Sequence, residues 1–208
     1  MTESPSPACL QSSWQRAWHS LGLQPASGLH AQLLEAYRET QRHYHTLQHL
    51  QECLTHWEQV MQRAQFPGEL ELALWFHDAV YAVKAKDNEA QSAQWAKQAL
   101  RQSGASAEQI QRVQDLIMAT CHQAVPSAAD AQLLVDIDLA ILGADPQRFA
   151  EYDAQVRAEY SWVPGWIYRG KRRQVMRGFL ARDAIYSTPH FQTQLEAQAR
   201  RNLAVLLG

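Results

Sequence analysis

Cysteine is scarce in this chain. Cys9, Cys53 and Cys121 are the only three in 208 residues. That is too few and too scattered for a disulfide framework or a zinc knuckle, and a reducing cytoplasm is the expected compartment. An excess of one charge is also missing: 19 basic against 21 acidic residues leave −2 with neutral histidines. This argues against general affinity for nucleic-acid backbones, and no nucleic-acid polymer is expected as a partner. No apolar run approaches the roughly 20 residues needed to cross a bilayer. The start, MTESPSPACLQSSW, has no basic stretch followed by an apolar one, so no signal peptide or membrane partner is expected. Alternating apolar and polar positions are absent too, which removes strands from consideration.

What remains is a chain of 46% apolar and 19% charged residues, a balance that suits one globular domain with a substantial core. Nearly every segment has helical period. Residues 9–23 carry Leu10, Trp14, Trp18 and Leu21, and residues 28–40 carry Leu29, Leu33, Leu34 and Tyr37. A third helix is predicted from about Leu47 to Ala64, ended by FPGE. The fourth, about Glu69 to Tyr81, is apolar nearly all round, as a buried central helix should be. Asp87 is an expected N-cap for residues 88–102, with Gly104 closing that helix. SAEQ at 106–109 reads as a capping box for a helix reaching Thr120. Asp130 is expected to start the apolar helix AQLLVDIDLAIL, stopped by Gly143. Asp145 and Pro146 open the next, and two more follow at about 168–182 and 190–206. The fold class is all-α, a helical bundle of nine or ten helices.

Nine histidines prompt a search for a metal or phosphoryl site. In RHYHTLQHL, His45 and His49 are four apart and share a face if the helix already includes His45. His49 lies near the apolar side with Leu50 and Cys53, where a histidine must be hydrogen-bonded or bound to a metal. LALWFHDAVY places His77 and Asp78 at the end of an apolar run. Adjacent helical side chains diverge by about 100°, yet both can reach one ion near a helix end. In LLVDIDLAIL, Asp136 and Asp138 interrupt a strongly apolar helix and point about 200° apart, so at most one faces a given site. Histidine and carboxylate ligands together suit a divalent ion: Mn, Fe, Co, Ni, Zn or Mg.

The order His, His-Asp, Asp within an all-helical chain resembles the HD superfamily of metal-dependent phosphohydrolases. It is closest to an uncharacterised bacterial group of predicted metal-dependent HD phosphohydrolases. The resemblance rests on RHYHTLQHL, WFHDAVY, NEAQSA, ATCHQ, DIDLAILG, VRAEY and FLARDAIY, spread over about residues 42–205. It implies a single HD-type domain over 1–208: N-terminal helices to about residue 40, a metal-site core at 42–142, and C-terminal helices with a basic segment at 143–208. It also implies His49, His77, Asp78 and Asp138 as metal ligands, with His45 and Asp136 as the rivals of the outer pair. His122 of ATCHQ stands where some HD proteins place extra histidines for a second metal, but the adjacent pair seen in those branches is absent here.

The expected activity is hydrolysis of a small phosphoester, nucleotides first among the candidates, by metal-activated water. Asp78 would orient that water, and His122 or His45 would protonate the leaving oxygen. Lys84, in the loop after the doublet, and Glu89, which shares a face with Ser92, are candidates to meet the substrate. Between 157 and 182 the chain carries seven basic residues, Arg157 and Arg173 among them, against Glu159 alone. Guanidinium groups grip phosphate oxygens by paired hydrogen bonds. The alternatives are a di-iron HD-type oxygenase, for which His45 and His122 are the spare ligands, and a non-catalytic metal- or nucleotide-binding module. Apolar residues at 203–207 are expected to pack internally or against a second copy, which would make a homodimer.

Overall fold

A computed structural model describes residues 7–122 and 124–208. Among the described residues there are ten α-helices, two short 3-10 segments and no strand. None of the helices is long and apolar enough to cross a membrane. The chain divides into two compact units, Met1–Val135 and Asp136–Gly208.

The first unit contains α1 (Pro7–Ser20), α2 (Leu29–Ala36), α3 (Leu47–Val60), α4 (Pro67–Phe76), α5 (Asn88–Gln102), α6 (Ala107–Ala119) and most of α7 (Ala129–Asp138). α4 is the central helix the sequence predicts: every residue from Gly68 to Phe76 is buried. Burial of a large apolar side chain such as Leu72, Leu74 or Phe76 stabilises by roughly 1.5–3 kcal/mol. Two acids, Glu69 and Glu71, go inside with them. Glu71 accepts hydrogen bonds from Ser13 Oγ (2.6 Å) and the Arg16 guanidinium of α1, and Ser13 Oγ in turn accepts from Trp75 Nε1 (3.0 Å). Glu69 receives Nε and Nη2 of Arg112 on α6 at 2.6 and 2.7 Å. Polar α4 side chains thus pin it to both neighbours, each satisfied by a partner.

Several helix ends differ from the sequence expectation, each for a local reason. α1 stops at Ser20, where Gly22 adopts φ 69° and Leu23 N–H turns back to the Trp18 carbonyl. α4 ends at Phe76 rather than near Tyr81, because the carbonyls that would carry it forward are taken. His77 Nδ1 occupies Leu74 O at 2.8 Å, and Arg42 occupies Asp78 O and Ala79 O. Asp87 stands at the N-cap of α5 but makes no capping bond. Asp130 does not cap α7 either: its carboxylate accepts Gln65 N–H and Phe66 N–H, closing the turn ahead of α4. The capping box of Ser106 and Gln109 and the left-handed Gly104 (φ 81°) stand as the sequence predicts.

The second unit opens with the end of α7 and a 3-10 segment, Leu139–Gly143, followed by α8 (Pro146–Glu159), α9 (Gly165–Leu180) and α10 (Pro189–Leu207). Asp145 caps α8 through Gln147 N–H and Arg148 N–H, with Pro146 at the first position. Gly143 ends that helical run, as expected, and is also a point of close approach: a Cβ there would lie 2.6 Å from Leu195 Cβ and 2.9 Å from Tyr186 Oη. Of the C-terminal apolar residues, Leu203 is fully buried while Val205 faces outward.

Asp136, fully buried, accepts Ser187 N–H, Thr188 N–H and Thr188 Oγ at 2.6–2.7 Å. It anchors the turn that leads into α10 from 51 residues away in sequence. Burial pushes its carboxyl pKa up, partly offset by those three donors. Asp136→Ala leaves buried N–H groups without acceptors, so urea unfolding should show a loss of about 2–4 kcal/mol, and Asp136→Asn a smaller one. Equal midpoints for wild type and Asp136→Ala would refute this anchoring role.

Candidate metal centre

α3 starts at Leu47, with Thr46 Oγ capping it through Gln48 N–H. His45 therefore lies in the turn before the helix, and the i, i+4 pairing with His49 does not arise. The i, i+4 pair on α3 is His49 and Cys53, both buried. Cys53 Sγ sits 3.7 Å from both ring nitrogens of His49.

His77 is the C-cap of α4. Its ring points Nε2 at His49 Nε2, 3.1 Å away. The Asp78 carboxylate reaches both, with Oδ2 3.1 Å from His77 Nε2 and 3.4 Å from His49 Nε2. The histidines are 1–2% exposed. His49, Cys53 and His77 each offer a ligand atom, and these lie within 4.8 Å of one another.

The protonation of this group decides what it is for. The Leu74 carbonyl only accepts, so the His77 nitrogen facing it, Nδ1, carries the proton. That leaves the Nε2 lone pair of a neutral His77 aimed at a carboxylate 3.1 Å away and at a second imidazole nitrogen. Lone pairs do not face each other in a dry interior without a cation between them. Either a further proton or a metal ion must supply it, and a backbone carbonyl on the far nitrogen is how metal-binding histidines are oriented. The spacings fit an ion: ligands about 2.0–2.3 Å from a common centre lie roughly 2.8–3.8 Å apart in octahedral to tetrahedral geometry, against 3.1, 3.1, 3.4 and 3.7 Å here. Burial alone would raise the Asp78 pKa, but His77, His45 and His49 outweigh it and hold the carboxyl well below its usual range.

Arg42 supports the site, although the sequence reading assigned it nothing. Its buried guanidinium donates to the carbonyls of His45 (3.2 Å), Asp78 (2.6 Å) and Ala79 (3.0 Å). Its Nε meets Glu39, and its face lies against Tyr37 and Tyr81. NEAQSA finishes the clamp: Ser92 Oγ accepts Val80 N–H, and the Asn88 amide exchanges two hydrogen bonds with Ala82. Cys53, which offers a candidate ligand atom, is the other residue that the sequence reading left unassigned; its spacing of four from His49 was the available signal.

The remaining candidates sit as follows. The His45 ring stacks on Tyr81 at 4.0 Å and lies 6.0 Å from the His49 ring. His122 follows α6 in the left-handed region, φ 52°. Lys84 is exposed in the turn after Tyr81, and Glu89 is half-buried in the first turn of α5. There it adds to burial in raising the Cys121 thiol. In the second unit, Asp138 is half-buried at the end of α7, and Arg173 is exposed on α9. The Arg157 guanidinium donates to the Tyr160 and Val163 carbonyls and stacks on Tyr168.

No protein-family model, curated protein or solved structure matches the chain. The comparisons therefore do not carry the HD resemblance, and the site itself must support any functional reading.

Proposed function

We propose that the chain is a metal-dependent phosphohydrolase acting on a small phosphoester, with nucleotides first among the candidates. The observation that supports this best is the pair of buried Nε2 atoms of His49 and His77, 3.1 Å apart, with the Asp78 carboxylate beside both. His49, His77 and Asp78 hold a divalent ion in this reading. Of the two aspartates in DIDLAILG, Asp136 is engaged by the Ser187 and Thr188 N–H groups, so the ligand role that the HD resemblance implies falls to Asp138. Such an ion lowers the pKa of a water and polarises a phosphoryl oxygen. Asp78 keeps its charge and turns its second oxygen to the attacking water. His45, in the turn before α3, or His122 gives a proton to the leaving oxygen as the ester P–O bond breaks. Lys84 and Glu89 border the substrate on the side of the loop that follows Asp78.

The test is to purify the protein from metal-poor medium, add Mn, Co, Ni, Zn or Mg singly, and screen phosphomonoesters, phosphodiesters and nucleotides. Retention of about one ion per chain together with metal-dependent phosphate release is expected. If no metal is retained, and Asp78→Ala changes neither metal content nor any activity found, the reading fails.

One observation favours a second reading. Cys53 belongs with His49 and His77, and with one carboxylate they make four protein ligands, which would close a tetrahedral zinc and leave no open position for a water. A zinc ion that resists exchange, with no turnover of any phosphoester in any metal, would point to a non-catalytic metal-binding module instead.

A further inference from the structure

α9, GWIYRGKRRQVMRGFL, has five basic residues and no acid. Its inner face is ordinary: Tyr168, Met176 and Phe179 are buried, and Arg172 turns in to donate to Asp153 at 3.0 Å while lying over the Tyr152 ring. The outer face is not. At about 100° per residue, Trp166, Arg169, Gly170, Arg173 and Arg177 fall within one sector of roughly 100°. Arg169, Arg173 and Arg177 are exposed and four residues apart, so they form a ridge rising roughly 6 Å per step. Trp166 at its head is 73% exposed, and Trp162, just before the helix, is 53% exposed. Two indoles left in water beside a ridge of arginines are costly to keep soluble, and they mark a contact surface.

We infer that this face binds single-stranded nucleic acid, independently of the metal centre. Arginines at regular steps along one line meet successive phosphates of a strand, and indoles stack on unpaired bases whatever their sequence. The slightly acidic balance of the whole chain excludes a generally basic surface but not a local one. An anionic membrane is the weaker fit. The apolar stripe a membrane would take from an amphipathic helix is already buried, and the exposed Ile167 and Val175 lie apart from each other, about 80° around the helix.

The experiment is a fluorescence-anisotropy titration of the full chain with a labelled oligothymidine strand of about 15 nucleotides, a length within the usual site sizes for such strands. Contact with three phosphates predicts a log–log salt slope near −2, so affinity should fall roughly 20-fold between about 50 and 200 mM salt. Trp166→Ala should weaken binding at least about fivefold with that slope unchanged. Arg173→Glu combined with Arg177→Glu should weaken it more and flatten the slope. All three side chains are exposed, and unchanged thermal unfolding will confirm that the variants fold. No binding at 50 mM salt, wild-type binding by the variants, or equal sensitivity of inorganic polyphosphate binding to Trp166→Ala would overturn the inference. So would binding to phosphatidylglycerol vesicles that the strand does not displace.

Discussion

Replacing His77 with alanine is expected to take the metal content from about one ion per chain to none and to cut any metal-dependent hydrolysis more than about 100-fold. The size follows from the geometry. Losing even the group that orients a metal-binding histidine costs 10–100-fold in affinity or activity, and His77 is itself the side chain whose Nε2 lies 3.1 Å from both His49 Nε2 and Asp78 Oδ2. Apo stability is a separate quantity, since the mutation also removes the His77 bond to the Leu74 carbonyl and its contact with Asp78. Elemental analysis and an unfolding curve on the same sample separate the two effects. A variant that keeps its metal but unfolds earlier would mean that His77 serves the core and not an ion.

The second large effect lies at Glu71. It is 2% exposed and holds three donated hydrogen bonds, one from Ser13 and two from Arg16. Glu71→Ala would leave the Ser13 hydroxyl without its acceptor and take both bonds from the Arg16 guanidinium. Breaking one side of such a pair costs about 3–5 kcal/mol. At this chain length that is a fall in Tm of roughly 6–20 °C. Arg16 is the more exposed partner and keeps Glu58 nearby, whereas Arg16→Ala strands the buried Glu71 carboxylate, so Arg16→Ala should cost at least as much. Calorimetry on both variants checks the order. A Glu71→Ala protein within a degree or two of wild type would show that the α1–α4 junction is held by packing alone.

Helical period was enough to read the all-α class, because 3.6-residue spacing of apolar side chains survives whatever the helices pack against. His49, His77 and Asp78 were legible for a related reason: polar side chains inside strongly apolar stretches must have a partner. Other roles were hidden. Cys53 reads as one more small apolar residue on the buried face of α3 until its neighbour is known to be a histidine ring. Arg42 acts on backbone carbonyls, which every residue carries, so no pattern announces it. Glu69 and Glu71 look like favourable charge near a helix start, and only the fold turns them inward. The choice between Asp136 and Asp138 was open because the donors that claim Asp136 come from residues 187 and 188, far along the chain.

The Arg42 clamp has a kinetic consequence. One guanidinium joins the turn before α3 to the segment after α4, through His45 O, Asp78 O and Ala79 O. Neither segment can swing out while that joint holds, so the two should open as a single unit, and their backbone amides should exchange with solvent at a shared rate. Escape of anything held between His49 and His77 should then wait on a cation letting go of three carbonyls.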